Sequence, residues 1–387
     1  MRAAILLAGF YASGQTRHVV DLARGLRHAG HEVVLVNTQP SGCAQPHRDR
    51  FLRTLDEAGV ELRYGDPLES DLGPVDLVHA HSTLDWARAD RLACRLARPF
   101  VLTAHGLGVT RGRLRPHLTR AAAVIAVGRR VADELEGHCR RLFVIENGVD
   151  TDEFSPVPEV AEGGTVRLPV RPGGPPFVIV YAGRLSASRR AAFRALAEAV
   201  AELSERRAVR FAVLSDGLPR LPRAVLERLG QDLDFRGWVW DTAVVMREAD
   251  VVVGCGRVIR EGLVSGRPCL ILGPGYGGLV DPSLLRPDRG HDFSGSGPSS
   301  PLPSVARLAR DLGHLAADPD LRRRLGSEGR RYAVMHLSLG VVVAATLGAY
   351  AAALRTSPSA PTPSRRPPRA RPRPASPGPG TRPGEGA

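Results

Sequence analysis

Lysine is absent from the 387-residue chain, so all 53 basic side chains are arginine. This exclusive use of one basic residue indicates a bias of the coding sequence, and it makes the formal net charge of +13 weak evidence for an acidic partner. Cysteine is also scarce, and no C-x-x-C spacing occurs among Cys43, Cys94, Cys139, Cys255 and Cys269. Neither a disulfide framework nor a thiolate zinc site is therefore expected, and a reducing cytoplasm fits best.

Long apolar segments are few as well. The first, residues 3–8, is too short for a signal peptide and is expected to be a buried strand. Residues 332–354 are apolar over 23 positions, with His336 the one ionisable side chain besides tyrosines, and this length could cross a bilayer. Ala, Gly, Ser and Thr dilute the hydrophobicity, so an apolar C-terminal helix over 332–355 is favoured over a membrane anchor.

Two proline-rich segments divide the chain, whose length suits two domains. Residues 155–176 contain six prolines and are expected to be a linker between domains at 1–154 and 177–331. Residues 356–387 lack apolar periodicity and are expected to be a disordered tail. The tail carries six arginines against one glutamate and no aromatic residue, so a solvated tail is favoured over one that binds RNA or a membrane.

Short apolar runs alternate with stretches of helical period on both sides of the linker, which is typical of βαβ units and a parallel sheet. The predicted strands are 3–8, 33–37, 75–79, 100–103, 122–127 and 143–145 in the first half, and 178–181, 210–214, 233–235, 251–253 and 269–272 in the second. The sequence therefore predicts an α/β protein of two doubly wound, Rossmann-like domains. Ligands are expected at the carboxyl ends of the strands, in the cleft between the domains.

The loop after the first strand runs from Gly9 to Gly14 and leads into a helical pattern. A glycine at this position lets backbone N–H groups approach an anion, although an ordinary turn is the alternative. The G-x-G-x-x-G fingerprint is absent, and the second strand ends in Asn37 rather than in an acidic ribose ligand. A hydride-transfer enzyme is therefore disfavoured.

Three histidines follow or end predicted strands, namely His79, His81 and His105. Neutral imidazole is a common zinc ligand, but no carboxylate or cysteine follows at a ligand spacing. Hydroxyl recognition or structural hydrogen bonding is therefore favoured over metal binding.

Several short motifs, taken in order and spacing, resemble glycosyltransferase family 4 over roughly residues 1–355. They are Gly30-His31-Glu32-Val33, Asp76-Leu77-Val78-His79-Ala80-His81-Ser82, Thr103-Ala104-His105-Gly106, Val144-Ile145-Glu146-Asn147-Gly148-Val149-Asp150, Ala182-Gly183-Arg184-Leu185, Phe235-Arg236-Gly237, Ala249-Asp250-Val251, Glu261 and Gly266-Arg267-Pro268. The resemblance implies a GT-B fold, with the acceptor bound mainly by the first domain and a nucleotide-sugar donor mainly by the second.

The resemblance also implies roles for single residues. Arg184 matches the arginine that holds the donor diphosphate, and Arg189 stands where the family has a lysine. For Arg189 and the neighbouring Arg190, the start of an arginine-rich helix that faces water is the alternative. Guanidinium groups can stabilise the charge that grows on a leaving nucleoside diphosphate without a metal. No metal, other cofactor or protein nucleophile is implied for a retaining member, and His105 is expected to position a hydroxyl group.

Glu261 matches the glutamate that accepts hydrogen bonds from the ribose hydroxyls, which suits a carboxylate because it accepts two donors at once. The family's other glutamate falls on Val253, and this is the clearest departure from the pattern. Two glycine-rich turns are candidates to replace it at the donor. Their site residues are Gly256 and Arg257 in the first turn and Gly277 and Gly278 in the second, with Gly14 across the cleft.

The sequence thus predicts a cytoplasmic, retaining glycosyltransferase that uses a nucleoside-diphosphate sugar and a hydroxyl acceptor that is lipid-linked, a polysaccharide or a small molecule. A non-catalytic nucleotide-sugar or glycan-binding protein is the main alternative because of Val253, and a GT-B sugar-nucleotide epimerase is another. No specific nucleic-acid partner is expected. Six arginines of the first domain are favoured to form a solvated face, and peripheral contact with anionic lipid on the inner face of the membrane is the alternative. They are Arg111, Arg113, Arg115, Arg120, Arg129 and Arg130.

Overall fold

The structure is a computed structural model, which describes residues 1–11, 13–39, 45–68, 72–156, 175–286, 291–297 and 300–355. Most of the expected linker, 157–174, and the whole expected tail, 356–387, lie outside the described residues. Both halves of the described chain contain a largely parallel sheet covered by helices. The α/β, doubly wound architecture predicted from the sequence is confirmed.

The first sheet has seven strands in the described residues, in the order β3-β2-β1-β4-β5-β6-β7, and every neighbouring pair is parallel. The strands β1 to β7 are Arg2–Leu7, Glu32–Asn37, Glu61–Tyr64, Leu77–Ala80, Phe100–Ala104, Ala123–Ala126 and Leu142–Val144. Strand β3 was not predicted from the sequence. It lies at the edge of the sheet with half-exposed and exposed side chains, so it lacks the apolar run of a central strand.

Helices α1 to α5, which flank this sheet, are Gly14–His28, Gln45–Glu57, Trp86–Leu96, Arg115–Arg120 and Arg129–Leu135. Helix α1 buries His18, Val19, Leu22, Ala23 and Leu26, the positions that the helical period predicts. Helix α1 begins after Ser13, whose hydroxyl accepts a hydrogen bond from the Thr16 amide at 3.2 Å. This cap places the first turn of α1 beside the carboxyl end of β1.

The second sheet has six strands in the described residues, in the order β10-β9-β8-β11-β12-β13. Strands β8 to β13 are Phe177–Ala182, Val209–Leu214, Leu233–Gly237, Val251–Gly254, Cys269–Leu272 and Tyr276–Leu279. The first five are parallel, whereas β13 runs antiparallel to β12. Helices α6 to α10 are Arg190–Ser204, Arg223–Leu229, Thr242–Glu248, Arg257–Val264 and Val305–Ala317.

Strand β13 corrects the expectation that Gly277 and Gly278 belong to a ligand-binding turn. Gly278 pairs with Ile271 of β12, and a Cβ atom on Gly277 would lie 2.9 Å from the Ile271 side chain. The neighbouring Gly275 is equally confined, because its Cβ would lie 2.2 Å from the Ser300 carbonyl oxygen. Gly275 and Gly277 thus allow chain segments to pack closely, whereas Gly278 has open space beside it and a φ of +88° that favours glycine.

The C-terminal apolar segment also differs from the expectation of one helix over 332–355. It is divided into α11, Pro319–Leu337, and α12, Leu339–Leu354, by Ser338, whose ψ of 148° is extended. The Ser338 hydroxyl caps α12, and the backbone here bonds to Val149. Helix α12 then packs against α1, and Tyr350 is fully buried in the first domain's core. In the described part of the chain no helix is long and apolar enough to span a membrane.

Candidate active site

A cleft of about 760 Å³ lies between the two sheets, in the size range of small-molecule sites. Its walls come from both domains, at the carboxyl ends of parallel strands. Gly14 follows β1, His105 follows β5, Arg184 follows β8 and Gly256 follows β11. Loops at these strand ends converge because parallel strands end at the same edge of each sheet.

Most of the predicted site residues line this one cleft. They are Gly14, His105, Arg184, Arg189, Gly256, Arg257 and Glu261. Gly277 and Gly278 do not line it, because they are part of β13. The glycine-rich turn after β11 therefore faces the cleft, whereas the run after β12 reaches it at Pro274 and not at its two predicted glycines.

Two arginines supply positive charge on the second domain's side. Arg184 follows Gly183, whose φ of +146° favours glycine, and Arg189 ends the short 3₁₀ helix Ala187–Arg189. No acidic side chain among the described residues forms an ion pair with Arg189. Guanidinium groups at the start of α6 suit an anionic ligand such as a diphosphate.

Arg257 has a different set of contacts from the one expected. Its Nε donates to Glu261 Oε1 at 2.6 Å, its Nη2 donates to Asp21 Oδ2 at 2.8 Å, and its Nη1 donates to the Gly148 carbonyl oxygen at 3.3 Å. The guanidinium group is therefore engaged with protein groups from both domains. Burial raises the pKa of Glu261, and the Arg257 charge beside it opposes that rise.

Val253, at the position of the missing glutamate, is fully buried in the core of the second domain. The next residue, Gly254, is equally constrained, because a Cβ atom there would lie 2.8 Å from the Ala182 carbonyl oxygen. The cleft is lined instead by Cys255 and Gly256. The wall at this point is thus formed by small residues and backbone.

Four histidines cluster on the first domain's side. His81 Nδ1 lies 3.1 Å from His105 Nε2, and the His18 ring lies 5.4 Å and 5.3 Å from those two rings. His79 bonds instead to the Tyr350 hydroxyl at 2.6 Å and to Thr103 Oγ1 at 2.7 Å. Sequence reasoning missed His18, because its position on α1 joins the strand-end histidines only in three dimensions.

Burial keeps these imidazoles neutral. It lowers the pKa of His18 and of His79 to about 3, and the pKa values of His81 and His105 well below the ordinary range. A neutral imidazole both donates and accepts a hydrogen bond, as a sugar hydroxyl does. This chemistry suits the recognition of a hydroxyl group.

The nitrogens of His18, His81 and His105 lie within 4.8 Å of one another and could hold a metal ion. Neutral imidazole is also the form that binds metals. However, burial and, after it, the nearby guanidinium groups of Arg257 and Arg260 lower the pKa of His18. The same charges oppose a divalent cation, which leaves hydroxyl binding as the favoured chemistry.

Glu134 of α5 organises the loop that follows His105. Its carboxylate accepts hydrogen bonds from the amides of Gly108 at 2.8 Å and Val109 at 3.0 Å, and from the Thr110 hydroxyl at 3.2 Å. Burial disfavours the Glu134 carboxylate, but the loop's hydrogen bonds outweigh that effect and lower its pKa. Sequence reasoning missed this residue, since nothing local links it to the loop.

Two tryptophans, also missed from the sequence, line the cleft after β10. Trp240 packs against Phe51 of the first domain with ring centroids 4.8 Å apart, and Arg50 lies 5.2 Å above its ring. Trp238 is 41% exposed. Two of the three tryptophans in an aromatic-poor chain fall within three residues after a strand, and this was the available signal.

The six arginines considered for lipid contact divide into two groups. Arg111, Arg113 and Arg115 are exposed. The other three form ion pairs, which are Arg120 with Asp90 at 3.0 Å, Arg129 with Asp133 at 2.8 Å and Arg130 with Asp292 at 3.2 Å. Arg120 and Arg129 are exposed as well, so within the described residues it is the lack of an ion-pair partner that distinguishes the three arginines just after the Glu134-bound loop.

Comparison with known families gives a match for each domain. The model described as Glycosyltransferase Family 4 matches residues 12–153, and the one described as Glycosyl transferases group 1 matches residues 176–278. Together they span more than half of the chain. A search of curated proteins found no significant match.

Solved structures with the same fold are numerous. Anabaena HepE in complex with UDP and glucose is 16% identical, with a TM-score of 0.64 over 91% of this chain and 99% of HepE. A Rickettsia africae glycosyltransferase is 17% identical, with a TM-score of 0.65 over 92% and 99% of the two chains. Thermosynechococcus elongatus sucrose-phosphate synthase is 18% identical, with a TM-score of 0.62 over 91% and 98%. These likenesses show the GT-B fold.

Proposed function

Because the chain belongs to the family 4-like glycosyltransferases, we propose that it moves a sugar from a nucleoside-diphosphate sugar to a hydroxyl group of an acceptor. The observation that carries the proposal is the cleft itself. It brings Arg184, Arg189 and Glu261 of the second domain opposite the neutral His105 of the first. One side suits an anionic donor and the other suits an uncharged hydroxyl.

The donor binds mainly to the second domain in this proposal. Arg184 and Arg189 hold the diphosphate, and the Glu261 carboxylate accepts hydrogen bonds from the ribose hydroxyls. HepE was solved with UDP and with UDP-glucose, which makes UDP the first nucleotide to test here. Trp238 offers an exposed aromatic face within the same cleft.

Charge development explains how these residues accelerate transfer. As the bond between the sugar and the diphosphate breaks, negative charge grows on the leaving phosphate, and two fixed guanidinium groups stabilise it. They supply the positive charge that a metal would supply elsewhere, so we propose that neither a metal nor another cofactor is required. His105 orients the attacking hydroxyl through a hydrogen bond.

We propose a retaining mechanism in which the departing phosphate takes the acceptor's proton. The acidic side chains that line the described part of the cleft are Glu261 and Asp292. Both are held by arginines, Glu261 by Arg257 and Asp292 by Arg130. This engagement does not favour either carboxylate as a nucleophile.

The burial of Val253 favours one second candidate, a protein that binds a nucleotide sugar without turning it over. In that case the donor side would be kept and the catalytic geometry lost. The two candidates differ in one observable, because both bind a nucleoside diphosphate but only the transferase releases one from a nucleotide sugar.

We also propose that the acceptor is presented at the cytoplasmic face of a membrane, which favours a lipid-linked acceptor. Exposed Arg111, Arg113 and Arg115 follow the loop that lines the acceptor side of the cleft, and such a cluster attracts anionic headgroups. The test is cosedimentation with phosphatidylglycerol vesicles at low and high salt. Replacing the three arginines by glutamine should abolish binding, whereas Arg223→Gln, at an exposed site on the second domain, should not.

The donor assignment is tested by a thermal-shift panel of UDP, ADP, GDP and their sugars on the full chain. A ligand that binds only the folded state stabilises it by mass action, so the largest shift identifies the base. We expect the shift to disappear in Arg184→Ala and in Glu261→Ala, and turnover of the selected donor to follow. The absence of a shift with every nucleotide at millimolar concentration would overturn the donor assignment.

A further inference from the structure

A buried ion-pair chain crosses the cleft from the first domain to the second. Asp21 of α1 accepts a hydrogen bond from Arg257 at 2.8 Å, and Arg257 donates to Glu261 at 2.6 Å. Asp21 is 1% exposed, and the side chain of Arg257 is 11% exposed. We call these three residues the Asp21–Arg257–Glu261 bridge.

Both ends of the bridge are fixed by local structure. Asp21 lies one helical turn after Arg17, whose Nε bonds to its other oxygen at 3.0 Å. Arg257 is the first residue of α9 and follows Gly256, whose φ of +59° favours glycine. Glu261 lies one turn further along α9, so Arg257 reaches it directly.

The bridge does not serve the stability of α9. A cation at the amino end of a helix opposes the helix dipole, and an arginine four residues before a glutamate is the less favourable order for such a pair. The buried carboxylate of Asp21, from the other domain, offsets this arrangement. The placement is therefore explained by what Arg257 holds rather than by helix formation.

Arg257 holds the carboxylate of Glu261, the residue that the proposed function assigns to the ribose hydroxyls. Glu261 Oε1 accepts from Arg257, and among the described residues no hydrogen bond to Glu261 Oε2 is present. Glu261 lines the cleft, so its orientation decides whether an oxygen faces a ligand's hydroxyl groups. A side chain whose rotamer is locked by a second residue binds a ligand with less loss of entropy.

We propose that Asp21 is a positioning residue of the donor site, although it lies in the acceptor-side domain. By holding Arg257 it fixes the Glu261 carboxylate so that Oε2 is presented to the ribose hydroxyls. The inference rests on the proposed function, since it deepens the assignment of Glu261. Recognition of the ribose then depends on the two domains being in the arrangement that joins Asp21 to Arg257.

The test measures discrimination between a ribose and a deoxyribose. Isothermal titration on the full chain compares UDP, 2′-deoxy-UDP and inorganic pyrophosphate, with ADP or GDP and their deoxy forms in place of UDP where the thermal-shift panel selects them. The variants are Asp21→Asn, Arg257→Gln and Glu261→Gln. Asp133→Asn, in the exposed pair with Arg129, is the matched control.

We expect wild type and the control to bind the ribonucleotide about tenfold more tightly than the deoxynucleotide. Asp21→Asn and Glu261→Gln should each bring that ratio close to one, and the double variant should lose no more than Glu261→Gln alone. Pyrophosphate affinity should stay unchanged, because it reports the arginines and not the ribose. A purely structural role of Asp21 would lower all three affinities together.

Two results would count against the proposal in distinguishable ways, and a third case is decided by another variant. If Asp21→Asn keeps the ratio while Glu261→Gln loses it, Asp21 does not position the carboxylate. If Asp21→Asn does not fold, Arg257→Gln decides the question by the same ratio, since it leaves Asp21 paired with Arg17. If wild type binds neither nucleotide nor pyrophosphate, the donor site itself is wrong and the inference falls with it.

Discussion

The two sides of the cleft differ in how far their basic side chains are buried, since the histidines of the first domain are largely enclosed whereas Arg184 is exposed and Arg189 half-buried. On the first domain, burial holds His18, His81 and His105 neutral. On the second, Arg184 and Arg189 bring guanidinium groups, which keep their charge in proteins. A protein can thus build a hydroxyl-binding surface and an anion-binding surface from basic side chains alone, by enclosing imidazoles on one side and leaving guanidinium groups near solvent on the other.

The largest effect is expected from removing positive charge on the second domain's side of the cleft. Arg184→Ala should lower kcat by about 10² to 10³, the usual cost of losing one fixed donor to a developing charge. Steady-state release of nucleoside diphosphate measures it. Arg223→Ala, at an exposed site, should leave kcat unchanged, and equal rates for Arg184→Ala and wild type would contradict the role.

The first domain's side of the cleft is tested by removing the His105 imidazole, which is proposed to bind the acceptor hydroxyl. His105→Ala should lower kcat/KM for the acceptor by roughly tenfold to a hundredfold, because the attacking hydroxyl loses its orientation. The Kd of the donor should not change. A loss of donor affinity equal to the loss of activity would show that His105 binds the donor instead.

The neutrality of the buried histidines makes a prediction about pH. The folded-state pKa of His18 and of His79 is about 3, below the ordinary 6.5, so below pH 6.5 the unfolded chain takes up protons that the folded chain does not. Each residue should therefore reduce the free energy of unfolding by about 1.4 kcal/mol per pH unit between 6.5 and 3.

Denaturant unfolding between pH 7.5 and 5 measures this dependence. His79→Gln, which keeps polar atoms near Thr103 and Tyr350, should show a shallower decline than wild type. His28→Gln, at an exposed position, should follow wild type. A free energy of unfolding that stays constant over this range would mean that the folded and unfolded chains take up protons equally, so that burial does not lower these pKa values.

A smaller effect is expected from loosening the loop that follows His105, on the first domain's side of the cleft. Glu134→Gln loses a charged acceptor for the amides of Gly108 and Val109, at a cost of about 1 kcal/mol, so KM for the acceptor should rise about fivefold. Tryptic cleavage at Arg111 and Arg113 should quicken, as mass spectrometry can show. Asp133→Asn is the control, and an unchanged cleavage rate would show that the loop holds its shape without Glu134.

The smallest effect is expected from removing or adding metal ions. If the arginines replace a metal, activity should be unchanged after dialysis against EDTA. Added Zn²⁺ should neither restore nor raise it, because Arg257 and Arg260 oppose a cation at the histidine cluster. A loss of activity in EDTA that Zn²⁺ reverses would assign His18, His81 and His105 as ligands instead.

Much of the fold was predictable because central strands of parallel sheets are continuous apolar runs. Strand β3 lacked that pattern at its exposed edge, and β13 was hidden by two glycines, of which Gly277 packs closely against Ile271. The break at Ser338 was also missed, since the hydrophobic pattern of 332–354 continues through it and the extended backbone is set by contacts with Val149.

The site was predictable where its residues follow strands and form recognisable motifs, as His105 and Arg184 do. Asp21, His18 and Glu134 could not be found this way. Each lies on a helix, and each acts through a partner 26 or more residues away in sequence, such as Arg257 for Asp21 or Gly108 for Glu134. Their roles arise from packing, which a local pattern does not encode.

The central claim is that the chain transfers a sugar from a nucleotide sugar whose diphosphate is bound by Arg184 and Arg189. The most direct test is to incubate radiolabelled UDP-glucose and a panel of other nucleotide sugars with the full chain and a bacterial lipid extract. The account predicts label in the acceptor fraction for one donor, and its loss in the Arg184→Ala, Arg189→Ala double variant. Intact nucleotide sugar for every donor, despite measured binding of the nucleotide, would contradict transfer and leave a binding protein.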